Sequence, residues 1–228
     1  MPGYRLQYAK SGSSCFLSHR ELMTTLQRGL RRASFPLTYS KGYNPRPKLS
    51  FGPPLGVGVA GLQEYIDLEL DQDINTEEYL HSLNRLLPPS IRANSLTAVP
   101  AGAKGLGKLI NCGHYLIDIG EGNDADWEQL LQCGENEGAW SYERPGDGKV
   151  YNVSDAIIKS DVYHEGERLY IGFLLKVGNG EIPLRVLLDF LSDKGGAVLL
   201  PSMVTRTGLY HLDKGCLLDP LGKRKNLN

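Results

Sequence analysis

Cations and aromatic rings alternate through one stretch of the sequence, a pairing that suits unpaired nucleic acid. Between Ser40 and Gly58, Lys41, Arg46 and Lys48 stand beside Tyr39, Tyr43 and Phe51, interleaved with Gly42, Gly52, Gly56 and Gly58. Single-stranded RNA is held by cations on its phosphates and by aromatic rings stacked on its bases. Glycines let a backbone approach a phosphate closely. Pro45, Pro47, Pro53 and Pro54 stiffen the segment, so less entropy is lost when it binds. Immediately upstream lie Arg20, Arg28, Arg31 and Arg32, a second group of candidate phosphate contacts. His19 adjoins them and is the one candidate for general acid–base cleavage through a 2′-hydroxyl. A histidine at a helix start also has a plain hydrogen-bonding role, and the spacing alone favours that role.

Other motifs carry less. Gly102, Gly105, Gly107 and Lys108 imitate a phosphate loop, but the spacing departs from G-x-x-x-x-G-K-[ST] and Leu109 replaces the hydroxyl residue. This segment reads as a linker. Glu64, Asp67, Glu69, Asp71 and Asp73 form an acidic run that reads as an exposed strand face followed by a turn. His81, His114, His164 and His211 have no ligand spacing. Cys15, Cys112, Cys133 and Cys216 are scattered without a C-x-x-C, which argues against a zinc site, an iron–sulfur cluster and a disulfide framework. Cys15 is read as core filling. No cofactor or metal is expected.

The net charge of -1 hides an asymmetry. Residues 1–50 hold nine Lys or Arg and only Glu21 as an acid, a balance of +8; the other 178 residues balance at -9. A local field of that sign attracts polyanions whatever the whole-chain balance. With 228 residues, 41% hydrophobic and 22% charged, the chain can bury a core in one large domain or two smaller ones. No apolar run approaches the ~18 residues of a membrane span. MPGYRLQYAK lacks the apolar stretch of a signal peptide, so a cytoplasmic location is expected.

The elements that must position these residues follow from periodicity. Tyr4–Lys10 alternates as a strand. Ser18–Glu21 is an S-x-x-E capping box, and Leu22, Leu26, Leu30 and Ala33 then form one helical stripe ending near Ser34. Pro36–Tyr39 reads as a strand, Leu55–Ala60 and Glu64–Leu70 as a strand pair. Asn75 caps a second helix stopped by Pro88-Pro89, and Ile91–Val99 returns as a strand. The order β-α-β-β-α-β is that of the ferredoxin-like split unit. After the Pro100–Lys108 linker come a strand at His114–Ile119, a helix at Asp124–Cys133 and a short strand at Trp140–Glu143. Tyr151–Lys159 is ambiguous. A hairpin turns around Glu165–Glu167, Pro183 opens a helix, and Val198–Leu212 closes the unit. The expectation is an α+β protein of two tandem ferredoxin-like units with antiparallel sheets, residues 1–100 and 101–228.

The blocks F-L-S-H-R-E-L-M-x-x-L-x-R-x-L-R-R-A (Phe16–Ala33) and P-L-x-Y-S-x-G-Y-N-P-R-P-K-L-S-F-G-P-P-L-x-V-G (Pro36–Gly58) and, more loosely, E-Y-I-D-L-E-L (Glu64–Leu70), the region around Ile110–Ile119, R-T-G-L-Y (Arg206–Tyr210) and L-D-P-L (Leu218–Leu221), resemble the bacterial radical-SAM-linked protein family. That family occurs alone or fused behind a radical-SAM, B12-binding-type module. The resemblance implies a radical-SAM protein as partner; it carries no catalytic residue over. The chain has no C-x-x-x-C-x-x-C of its own for such a cluster. A weaker, architectural similarity is to CRISPR repeat-processing endoribonucleases of the RAMP type, although no glycine-rich basic loop stands in the C-terminal half. Three functions follow as expectations: an RNA-binding accessory module working with the radical-SAM partner, a metal-independent endoribonuclease using His19, or a protein-interaction domain that docks the partner through its basic loop.

Overall fold

A computed structural model describes residues 1–121, 124–136, 140–146 and 148–226. They form a mixed α/β structure with mostly antiparallel sheet, divided into two compact units. The first comprises Met1–Ile110 together with Gly208–Asn228, and the second Asn111–Thr207. The C-terminal segment, assigned by sequence to the second half, therefore packs with the first.

The first unit begins with β1 (Gly3–Lys10), α1 (His19–Arg32), β2 (Leu49–Phe51), β3 (Ala60–Glu69), α2 (Thr76–Asn84), β4 (Ile91–Val99) and the single turn α3 (Leu106–Leu109). β1 lies between β4 and β3, and β2 pairs with β3 on its other side, all antiparallel. Alternation puts Tyr4, Leu6 and Tyr8 on one face of β1, opposite Leu68, Ile66 and Leu96 of the neighbouring strands. That face takes the apolar stripe of α1 (Leu22, Leu26, Leu30, Ala33) and Leu83 of α2, which together make the core. Asn75 caps α2 as expected, accepting from the amides of Glu77 and Glu78.

The partner strand of β3 differs from the expectation. It is Leu49–Phe51, and Leu55–Ala60 is loop up to its last residue. Pro53 and Pro54 cannot donate to a ladder, and the turn at Gly58 has φ 89°, so Leu55 and Val59 are buried without being strand residues. Pro36–Tyr39 is likewise reduced to two isolated bridges, Leu37 with Leu70 and Tyr39 with Pro47.

The second unit runs β5 (Cys112–Gly120), α4 (Asp124–Asn136), the small hairpin β6 (Ser141–Glu143) and β7 (Val150–Asn152), β8 (Ile157–Glu165), β9 (Arg168–Lys176) and α5 (Leu184–Gly195), and enters β10 (Val204–Asp213). The strand order is β10-β5-β9-β8. Ambiguous Tyr151–Lys159 resolves into the end of β7, a single 3-10 turn at Ser154–Ala156, and the start of β8. Pro183 stands one residue earlier than expected, as the N-cap of α5. β10 changes units midway. Its residues from Gly208 belong to the first, where it neighbours β3 and pairs with β11 (Cys216–Leu218), itself paired with β12 (Arg224–Lys225). No helix among the described residues is long and apolar enough to cross a membrane.

Candidate nucleic-acid interface

The basic segment and the basic helix meet. Helix α1 starts at the capping box read from the sequence: Ser18 Oγ accepts from the Glu21 amide at 3.3 Å, and Glu21 Oε2 accepts from the Ser18 amide at 2.9 Å. Behind that cap, buried Lys10 donates through Nζ to the carbonyls of Cys15 and Leu17, which anchors the approach to the helix on β1. At the first turn the His19 ring meets the edge of Phe51, centroids 5.9 Å apart. At the last turn the Arg31 guanidinium lies 5.8 Å from the Tyr39 ring centroid. Two contacts twelve residues apart thus hold the segment along one flank of α1.

Helical geometry then sorts the four arginines. Arg20 and Arg31 are eleven residues apart, close to three full turns, so they share a stripe about 16 Å long. Gly29 marks the opposite flank, because a Cβ there would meet Leu87 Cδ2 at 2.9 Å and Leu83 Cδ1 at 3.3 Å on the α2 side. At 100° per residue Arg31 points about 160° away from that line, Arg32 only about 60° from it, and Arg28 about 100° from it. Arg20 and Arg31 therefore border the Tyr39–Phe51 side, Arg28 faces outward, and Arg32 lies toward α2. All four are exposed, and none makes an ion pair among the described residues.

The segment is a short hairpin. The Ser40 amide donates to the Arg46 carbonyl and the Arg46 amide to Ser40 Oγ, with Tyr39 opposite Pro47. Lys41 and Tyr43 stand at its tip, Tyr43 fully exposed and Tyr39 at 41%. Strand alternation separates the remaining cations from this surface. Leu49 and Phe51 pair with Leu68 and Ile66 on the helix side, so Lys48 and Ser50 face the other way with Glu69 and Asp67. Lys48 Nζ is accordingly bound to Glu69 Oε2 at 2.7 Å. Arg46 is exposed and flanks the buried Pro47. The structure brings Arg31 to Tyr39 and His19 to Phe51, with Arg20 on the stripe of Arg31 and with Lys41 and Tyr43 exposed at the hairpin tip; Lys48 faces the other side of the sheet.

Two of the nine early cations, Arg5 and Lys10, are internal. Arg5 is buried, forking onto Asp67 through Nε (2.7 Å) and Nη2 (2.9 Å), and it also donates to the carbonyls of Lys104 and Pro220. Asp67, read as part of an exposed acidic face, is the partner of a buried guanidinium, and Glu64 of the same run is itself buried. The local field is therefore smaller than the sequence count of +8. Cys15 is buried, as a core filler should be, and burial raises its thiol pKa. One residue of the surface escaped the sequence reading: Phe16, 65% exposed just ahead of the helix cap. A run of the form C-F-L-S ahead of a capping box looks like core, and no pattern marks its middle ring as exposed.

No curated protein matches the sequence. Among solved structures, this chain is similar in fold to part of a chain of the Cbf5-Nop10-Gar1 complex, at a TM-score of 0.50 with 13% identity over 92% of this chain and 50% of that one. This chain thus spans about half the length of that one. An unknown protein from Galdieria sulphuraria (TM-score 0.26, 9% identity, covering 84% of this chain and 88% of that one) and the protein DtpA from Streptomyces lividans (0.23, 11%, 90% and 86%) are more distant. Residues 3–183 match the family described as uncharacterized protein conserved in bacteria (DUF2344), and the chain belongs to that bacterial family.

Proposed function

We propose that this protein is a single-stranded RNA-binding module that holds its ligand along the outer flank of α1. The observation that carries this reading is the Arg31–Tyr39 contact, which joins the cationic helix and the aromatic hairpin on one side. Arg20, Arg31 and Lys41 contact phosphates, with Arg28 at the rim. Tyr39 and Tyr43 stack on bases, which a paired duplex would not offer. Phe51 supports the floor through His19. Both units are read as ferredoxin-like βαββαβ folds in tandem. The orders β4-β1-β3-β2 and β10-β5-β9-β8, each with two helices between its strands, support that reading. The resemblance to radical-SAM-linked proteins extends the proposal to a radical-SAM partner, to which the module presents RNA.

A salt titration tests the site. With three or four phosphate contacts, log affinity for a single-stranded octanucleotide should fall against log salt with a slope of about -2 to -3. Arg20→Glu with Arg31→Glu should abolish binding, while Lys48→Glu, on the other side of the sheet, should leave it within about twofold. Salt-independent binding, or equal loss in the double variant and in Lys48→Glu, rejects the site. Co-purification of a radical-SAM protein that survives ribonuclease treatment would support the partner; its absence in a pull-down from the native cell would reject it.

A further inference from the structure

One exposed ring remains at the opposite end of α1 from Tyr39. Phe16 closes the 3-10 turn Gly12–Phe16, two residues before the Ser18 cap, and is 65% exposed. Val57, 53% exposed, lies on the adjoining backbone. The Gly58 amide donates to the Cys15 carbonyl at 2.9 Å, so Phe16 and Val57 each sit one residue from the same hydrogen bond. Together with the His19–Phe51 contact, this bond runs residues 51–58 alongside residues 15–19. The wall that begins at Tyr39 beside Arg31 thus continues past the start of the helix.

Exposed apolar side chains are ordinary when single. Arg20, four residues after Phe16 on the other side of the helix cap, is exposed and makes no ion pair among the described residues, and Glu21, the acid nearby, is occupied by Ser18. An exposed ring at the start of a helix whose first turn carries an exposed arginine, joined by backbone to the segment that holds Phe51, suits a nucleobase and its phosphate. We infer that Phe16, backed by Val57, is a second base-stacking station of the site, so that the ligand is an unpaired strand long enough to reach both ends of α1. This rests on the RNA-binding reading above. From His19 to Arg31 the helix rises about 18 Å. At about 3.4 Å per stacked nucleotide, that distance takes about five nucleotides.

Fluorescence anisotropy on the intact protein, with a pyrimidine octanucleotide and a trinucleotide, tests the station. Phe16→Ala should weaken the octanucleotide about tenfold with the salt slope unchanged. Phe16→Trp should restore wild-type affinity, and the trinucleotide, too short to span both ends, should not distinguish the variants. An octanucleotide affinity equal in Phe16→Ala and wild type overturns the second station and leaves the α1 site standing, pointing to a protein contact at Phe16. So does equal loss in Phe16→Ala and Phe16→Trp. Absence of RNA binding by the wild type overturns both readings.

Discussion

At Ser18, hydrogen bonds run in opposite directions and fix where α1 begins. The Glu21 carboxylate accepts from the Ser18 amide and hydroxyl, which holds its pKa below the usual carboxylate range. Ser18→Ala should lower stability by about 1 kcal/mol, read as a fall in the thermal midpoint. Because the folded pKa of Glu21 is depressed, this contribution is present above the unfolded carboxylate pKa and is lost as pH falls through the folded one. The Ser18→Ala deficit should therefore shrink in acid. His114 supplies a second pH dependence. Its Nδ1 is 2.6 Å from Thr207 Oγ1, and burial lowers its pKa. The unfolded chain then binds the proton more readily, so stability should decline as pH falls below about 6.5. His114→Gln should flatten that part of the stability–pH curve; an unchanged curve would show that another group is responsible. Tyr163, pushed up to about 12 by burial with Asp161 nearby, stays protonated throughout this range.

Elements are joined by residues whose sequence neighbours do not announce them. Arg5 ties β1 to Asp67 of β3, to the Lys104 carbonyl in the linker and to the Pro220 carbonyl in the C-terminal segment. Removing one partner of such a buried pair leaves an uncompensated charge. Arg5→Ala should cost about 3 kcal/mol by denaturant titration, far more than an exposed arginine such as Arg28→Ala. Between α4 and α5 the fit is tight: a Cβ on Gly195 would fall 2.2 Å from Trp127 Cη2, an atom of a buried ring. Gly195→Ala should destabilise by about 1–3 kcal/mol, even though alanine is the better helix former. A neutral or stabilising result would mean that the indole shifts freely.

Over the whole chain, the division into units does not follow chain order. Gly208–Asn228 belong with the first unit, where β10 neighbours β3 and Pro220 meets Arg5. Ending the chain after Thr207 should therefore destabilise residues of the first unit, measured as lost amide protection in β1 and β3. Protection intact in both strands would contradict that assignment.

Local chemistry is what the amino-acid sequence determined by itself. The capping box, the leucine stripe of α1, the Asn75 cap, the β1 and β4 strands and the Glu165–Glu167 turn all depend on residues a few positions apart, and each stands where its pattern puts it. The convergence of rings and cations was legible only as composition. Tertiary structure decided which of them share a surface, because strand pairing sets the parity of every side chain. With Leu49 rather than Leu55 starting the partner of β3, Lys48 turns toward Glu69 and away from α1. Burial likewise decided that Arg5 and Lys10 belong to the interior, since only contacts distant in sequence, or a carbonyl pair at a turn, could compensate their charges.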